Sequence, residues 1–195
     1  MIPSAESIRV MRPLFQGVEG GSIPTSALQL WLEPMEFEAA LRLNELWHSR
    51  LPRMGTGFIK AMPFLCYGAQ YEGIIYAVGI WSNPVARNLP QQTWMELRRL
   101  AVAPDRPKNT CSRILAVMAR LIAKEKPSVE RLISYQDLGV HTGTIYRAAG
   151  WTETTTNPDG NWTRRKRARP TAQSEYPKRR WEKAIRRCSK KADAK

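Results

Sequence analysis

Apolar positions recur at helical spacing in two stretches and gather into strand-like runs in several others. Phe37, Ala40, Leu41, Leu43 and Trp47 follow Pro34-Met35-Glu36 at roughly helical intervals. That pattern predicts a helix opening near Pro34 and closing near His48-Ser49, ahead of Pro52. The second helix is predicted over Cys111 to Lys126, with Ile114, Leu115, Val117, Met118, Leu121 and Ile122 on its apolar side, Asn109-Thr110 as caps and Pro127 as its stop. Between them, Phe64–Ala69 and Ile74–Trp81 are rich in β-branched and aromatic residues and flank the polar Gln70-Tyr71-Glu72-Gly73, which reads as a hairpin.

Thr93 to Val102 reads as a strand in which Trp94, Glu96 and Arg98 alternate with Met95, Leu97 and Arg99. Val129 to Tyr135 is a short strand, Gly143 to Ala149 a short helix closed by Gly150, and Trp151 to Thr163 two terminal strands around the turn Asn157-Pro158-Asp159-Gly160. Residues 1–33 are broken by Pro3, Pro13, Gly17, Gly20, Gly21 and Pro24 and give no clear element. The order predicts an α/β fold with a mixed sheet, in which a crossover from Thr93 to Tyr135 sets two strands parallel.

Composition adds bounds to this picture. The chain has 195 residues, 43% hydrophobic and 25% charged, which suits a single folded domain with an appendage. No run is long and apolar enough for a membrane helix, and the first residues do not read as a signal peptide. Cys66, Cys111 and Cys188 are scattered and odd in number, so they build neither a disulfide framework nor a zinc site, and a reducing cytoplasm is expected.

Charge changes the picture more. The net charge is +14, and the stretch Arg164–Lys195 holds 14 of the 31 basic residues against 3 of the 17 acids. The expected division is therefore a domain over 1–165, with 1–33 an N-terminal extension, and a basic tail over 166–195. Arg164, Arg165, Lys166, Arg167, Arg169, Lys178, Arg179 and Arg180 are the cations expected to hold nucleic acid through counterion release. Tyr176 and Trp181, interleaved with them, are expected to stack on bases or sugars. Deleting residues 170–195 is expected to weaken DNA binding and leave the fold intact.

Three places carry candidate chemistry. The turn before the Cys111–Lys126 helix has Arg106, Lys108, Asn109, Thr110 and Ser112 around a helix N-terminus, with Arg99 on the strand leading to it; this arrangement suits a phosphate-bearing donor. The stretch Ser134 to Trp151 runs from a strand into a polar loop with Asp137 and His141 and then to Tyr146, so one short segment holds a possible base and acid. His48 closes the first helix, where its plain alternative is an interaction with the helix dipole. Two histidines and an aspartate would suit a metal, but their spacing gives no argument for one, and none is expected.

The element order resembles the GNAT acyltransferase fold, on the strand Glu96–Val102, the turn-to-helix site after it and Ile145-Tyr146-Arg147-Ala148-Ala149-Gly150-Trp151. More narrowly, the chain resembles the Mom family of phage DNA-modification proteins. The residues that carry this are Asn44-x-x-x-His48 before Leu51-Pro52, then Leu97-Arg98-Arg99-Leu100-Ala101-Val102-x-Pro104-Asp105-x-Pro107-x-Asn109-x-x-Ser112, then Ser134-Tyr135-x-Asp137 and His141-Thr142-Gly143-Thr144-Ile145-Tyr146-x-Ala148-Ala149-Gly150-Trp151. The resemblance covers about residues 36–165.

It implies a GNAT-like mixed sheet flanked by helices, and a transferase that turns adenine in double-stranded phage DNA into N6-carbamoylmethyladenine, against restriction, inside a phage-infected or prophage-bearing bacterial host. It also implies His48, Asp137 and Tyr146 as catalytic residues, and Trp47, Ser134, Tyr135, His141 and Thr142 against the substrate. Where GNAT enzymes carry glycines in the pyrophosphate turn, this chain has Asn109 and Cys111, with Pro107 lacking an N–H. The donor therefore stays open between glycyl-tRNA and acetyl-coenzyme A. An ordinary GNAT N-acetyltransferase acting on a protein or small amine is one alternative. A non-enzymatic DNA-binding protein on the same scaffold is the other.

Overall fold

A computed structural model describes residues 23–48, 63–157 and 176–185. A short 3-10 turn, Ala27–Gln29, leads into strand β1 (Trp31–Pro34) and helix α1 (Phe37–Trp47). Strands β2 (Phe64–Tyr71), β3 (Ile74–Ser82) and β4 (Trp94–Val102) precede helix α2 (Thr110–Glu125). Strand β5 (Arg131–Asp137), helix α3 (Thr144–Ala148), β6 (Thr152–Asn157) and β7 (Lys178–Ala184) complete the order. They form one seven-stranded sheet in the sequence β1-β2-β3-β4-β5-β7-β6, antiparallel throughout except for the β4–β5 pair. Among the described residues no helix is long and apolar enough to cross a membrane.

The helices cover opposite faces because the strand side chains alternate. Ala40 and Leu43 of α1 pack with Cys66, Val78, Ile80 and Ala101. On the other face Ile114, Leu115, Met118 and Ile122 of α2 pack with Trp81, Met95, Leu97 and Leu132, and Tyr146, Trp151 and Trp181 extend that core. The central hairpin, the two long helices and the parallel crossover stand where the apolar periodicity puts them.

Three expectations are corrected. The N-terminal extension is not wholly outside the sheet, since Trp31–Pro34 forms its edge on β2. Of the terminal hairpin expected around Asn157–Gly160, the first strand is β6; it pairs with β7, which lies beyond that turn in the stretch assigned to a tail, and residues 158–163 lie outside the described residues. A boundary at residue 165 cuts through the sheet, because β7 sits between β5 and β6 and hydrogen-bonds to both. Removing residues 170–195 would therefore strip a central strand, and the fold is not expected to survive it.

A fourth correction concerns β4. Ile80 faces Arg99 and Trp81 faces Leu97, so Arg98 is an extra residue, a β-bulge. The bulge breaks the expected alternation. Arg99 changes sides, joining its partner Ile80 on the α1 face, while Leu97 stays with Trp81 in the α2 core.

Candidate active site

β4 and β5 are hydrogen-bonded only from Trp94↔Arg131 to Leu97↔Ser134. Beyond Leu97, β4 continues along β3 to Val102, and beyond Ser134, β5 continues along β7 to Asp137. The parallel strands part at the bulge, and the chain segments that follow each strand stand at the carboxyl ends of that opening. Ligands collect at such a point in α/β sheets.

One wall is cationic. Arg98 pairs with buried Glu96, which also accepts the Val85 N–H at 3.0 Å. Arg99 donates to the Arg98 carbonyl at 2.8 Å; burial and then the adjacent Arg98 pull its guanidinium down to about 10, still cationic at neutral pH. His48, the C-cap of α1, carries its N–H on the Asn44 carbonyl at 2.8 Å. Burial first, then the charge of Arg99 and to a lesser degree that of His141, lower its pKa, so the imidazole is neutral at pH 7. Arg99 and, more weakly, His141 thus stand near enough to act on the charge of His48.

The structure does not gather the expected trio of His48, Asp137 and Tyr146 around one point. Asp137 forms an ion pair with Lys178, and its other oxygen accepts the Gly139 N–H at 3.0 Å. Tyr146 stands on the opposite face of the sheet, in the α2 core, buried and in a 2.9 Å hydrogen bond with buried Ser134. Burial pushes its hydroxyl pKa up, which keeps it protonated. Of the expected substrate contacts, Trp47 packs against both cores, Tyr135 is held partly buried beside Arg180, and His141 and Thr142 are exposed in the loop between β5 and α3.

The donor turn is formed largely as expected. Asn109 caps α2 in the left-handed region at φ 64°, a conformation that glycine and asparagine adopt more readily than other residues. The helical ladder starts with the Arg113 N–H on the Asn109 carbonyl, which leaves the N–H groups of Thr110, Cys111 and Ser112 outside it. Thr110 and Ser112 spend their hydroxyls on the Pro107 and Asn109 carbonyls, at 2.8 and 3.1 Å, so they shape the turn. Arg106, Lys108 and Asn109 are exposed at its rim.

The cations assigned to nucleic acid divide. Arg164, Arg165, Lys166, Arg167 and Arg169 lie outside the described residues. Lys178, Arg179 and Arg180 are strand residues paired with Asp137, Glu153 and Glu182. Asp137 and Glu153 are distant in sequence and Glu182 is two residues from Arg180, so each of these cations already has a carboxylate partner within the sheet. Trp181, expected to stack on bases, is 1% exposed and lies against Tyr146 with ring centroids 5.3 Å apart.

Sequence reasoning missed Gln136. It is buried, accepts the Trp181 indole N–H at 2.7 Å and donates to the His141 carbonyl. The available signal was a polar residue in the buried register of a strand, two positions after Leu132-Ile133-Ser134.

The profile of the Mom protein family matches residues 67–191, most of the chain. The chain belongs to the Mom family. No curated protein matches it in sequence. Among solved structures, this Mom protein is similar to the ribosomal-protein-S18-alanine N-acetyltransferase of Escherichia coli (17% identity, 83% of this chain and 97% of that one, TM-score 0.57). It is also similar to a Bacillus subtilis acetyltransferase in complex with CoA (14%, 80% and 98%, TM-score 0.57). A third is the aminoglycoside acetyltransferase AAC(6')-Ib in complex with paromomycin and acetyl-CoA (12%, 80% and 93%, TM-score 0.57). These likenesses give the Mom chain a GNAT-like fold.

Proposed function

We propose that this Mom protein is a DNA-modifying transferase that converts adenine to N6-carbamoylmethyladenine. The observation that supports the reading, beside family membership, is a neutral His48 within the field of Arg99, the residue that follows the bulge where β4 leaves β5. Adenine N6 is a weak nucleophile and is paired in duplex DNA, so the base must leave the stack to react. Neutral His48 is the group that takes the N6 proton as the nitrogen attacks an acyl carbon. Arg99 is placed to stabilise the oxyanion formed there. The α2 N-terminus, with Arg106 and Lys108 at its rim, holds the donor's phosphates. Nucleic acid is held by the cations of 164–169 rather than those of β7.

Glycyl-tRNA is the donor that balances the product. A glycyl group on N6 (N6–CO–CH2–NH2) is an isomer of carbamoylmethyl (N6–CH2–CO–NH2), so transfer followed by rearrangement needs no oxidant or reductant. The left-handed Asn109 keeps alive a second reading, acetyl transfer from acetyl-coenzyme A. Expression in a bacterium, digestion of total DNA and mass spectrometry of the nucleosides separate the two. Labelled glycine in a carbamoylmethyl deoxyadenosine supports the first, and an acetylated nucleoside the second. Unmodified DNA in the presence of soluble, folded protein rejects modification of DNA and favours an acetyltransferase acting on a protein or small amine, or a DNA-binding protein.

A further inference from the structure

The His141 loop is closed by its own turn, with the His141 N–H on the Asp137 carbonyl at 3.0 Å, and is braced a second time through β7. The indole N–H of Trp181 can only donate, and it meets Gln136 Oε1 at 2.7 Å. The His141 carbonyl can only accept, and it takes a hydrogen bond from Gln136 Nε2. The two partners fix which way the amide points, and an amide is the side chain that serves both at once. Gly143, at φ 78°, passes so close that a Cβ there would lie 2.6 Å from Trp181 and 2.7 Å from Gln136 Oε1. Arg147 donates to the Thr142 carbonyl at 3.1 Å and lies over the Trp181 ring. The loop's backbone at 141–143 is thereby tied at three successive residues to the Gln136–Trp181 pair.

We propose that Gln136 is a positioning residue: oriented by Trp181, its amide holds the His141 backbone and so sets where the His141 ring stands against His48 and Arg99. Its effect on catalysis rests on the function proposed above; its effect on the histidines does not.

The chain holds only 2 histidines, so NMR of the full-length protein resolves two imidazole signals, assigned with His141→Gln. The charged groups acting on His48 are Arg99 from β4 and, more weakly, His141 from the loop. On the Gln136 side they are Arg179, paired with Glu153, and Arg147. In Gln136→Leu the His48 midpoint is expected to move upward by the same small step as in His141→Gln, while the larger lowering by burial and Arg99 remains. The DNA modification rate is expected to fall by up to about a hundredfold.

The decisive arm is the double variant. Once His141 is gone, adding Gln136→Leu should change neither the His48 midpoint nor the rate further. Additive losses, or an unmoved His48 in folded Gln136→Leu, overturn the proposal. Should Gln136→Leu fail to fold, Trp181→Phe keeps a ring beside Tyr146 and removes only the orienting N–H, and the same cycle is run with it. If the wild-type protein leaves DNA unmodified, the proposed function falls while the histidine titrations still decide the role of Gln136.

Discussion

Helices α2 and α3 begin in the same way and serve different ends. Each is capped by a residue in the left-handed region, Asn109 at φ 64° and Gly143 at φ 78°, and neither cap makes a side-chain hydrogen bond. Asn109 is exposed, and its helix runs 16 residues, so the turn presents unpaired N–H groups outward. Gly143 is buried against Trp181 and Gln136, and its helix has 5 residues. The first terminus is open to solvent. The second is a joint that fixes a loop to a strand. A left-handed cap in a sequence therefore locates a turn without telling which of the two it is; only what packs on it does.

Substituting the two caps should separate them most. Gly143→Ala puts a methyl group into Trp181 and strains the backbone, and should lower stability by about 2–3 kcal/mol in urea unfolding. Asn109→Gly should stay within about 0.5 kcal/mol, since glycine prefers the same φ but loses more entropy. If both changes cost alike, the caps are not different in kind.

Two serine hydroxyls sharpen the contrast at smaller scale. Ser134→Ala on the closed side leaves the buried Tyr146 hydroxyl without its partner, an expected loss of about 1–2 kcal/mol by thermal or urea unfolding. Ser112→Ala on the open side removes a bond at a partly exposed turn and should cost about 0.5 kcal/mol or less. The smallest effect is on pH dependence. The fold favours neutral His48, so its contribution is complete above 6.5 and is lost as pH falls below that value. The modification rate should decline in the same acidic range, and His48→Gln should remove that part of the stability slope.

Most of the fold from Phe37 to Trp151 was legible because its elements carry their own periodicity. β1 was not, since Trp-Leu-Glu-Pro at an edge has neither length nor alternation. β7 was hidden for a different reason. Lys178-Arg179-Arg180-Trp181 reads as solvated charge until Asp137 and Glu153 are seen on the neighbouring strands, and such distant pairings leave no local trace. In the candidate site, His48, Arg99, His141 and the Asn109 turn were singled out from residue types, spacing and the family resemblance, Arg99 for the donor's phosphates. The bulge at Arg98 was not, because inserting one residue into a strand changes the register without changing the pattern of letters. Asp137 and Tyr146 were assigned together because they are close in sequence, yet adjacent strand residues face opposite ways, and Tyr146 follows Ser134 rather than Asp137.

The place of β7 also bears on when the protein comes into being. Among the described residues it is the last strand in chain order, yet β5 and β6 meet only through it. While a ribosome is still translating the stretch before Lys178, Asp137 has no Lys178, Gln136 has no Trp181, and the His141 loop has only its own turn to hold it. A nascent chain can build the β2–β3–β4 meander early, but β5, β6 and the His141 loop are joined only once β7 has left the ribosome.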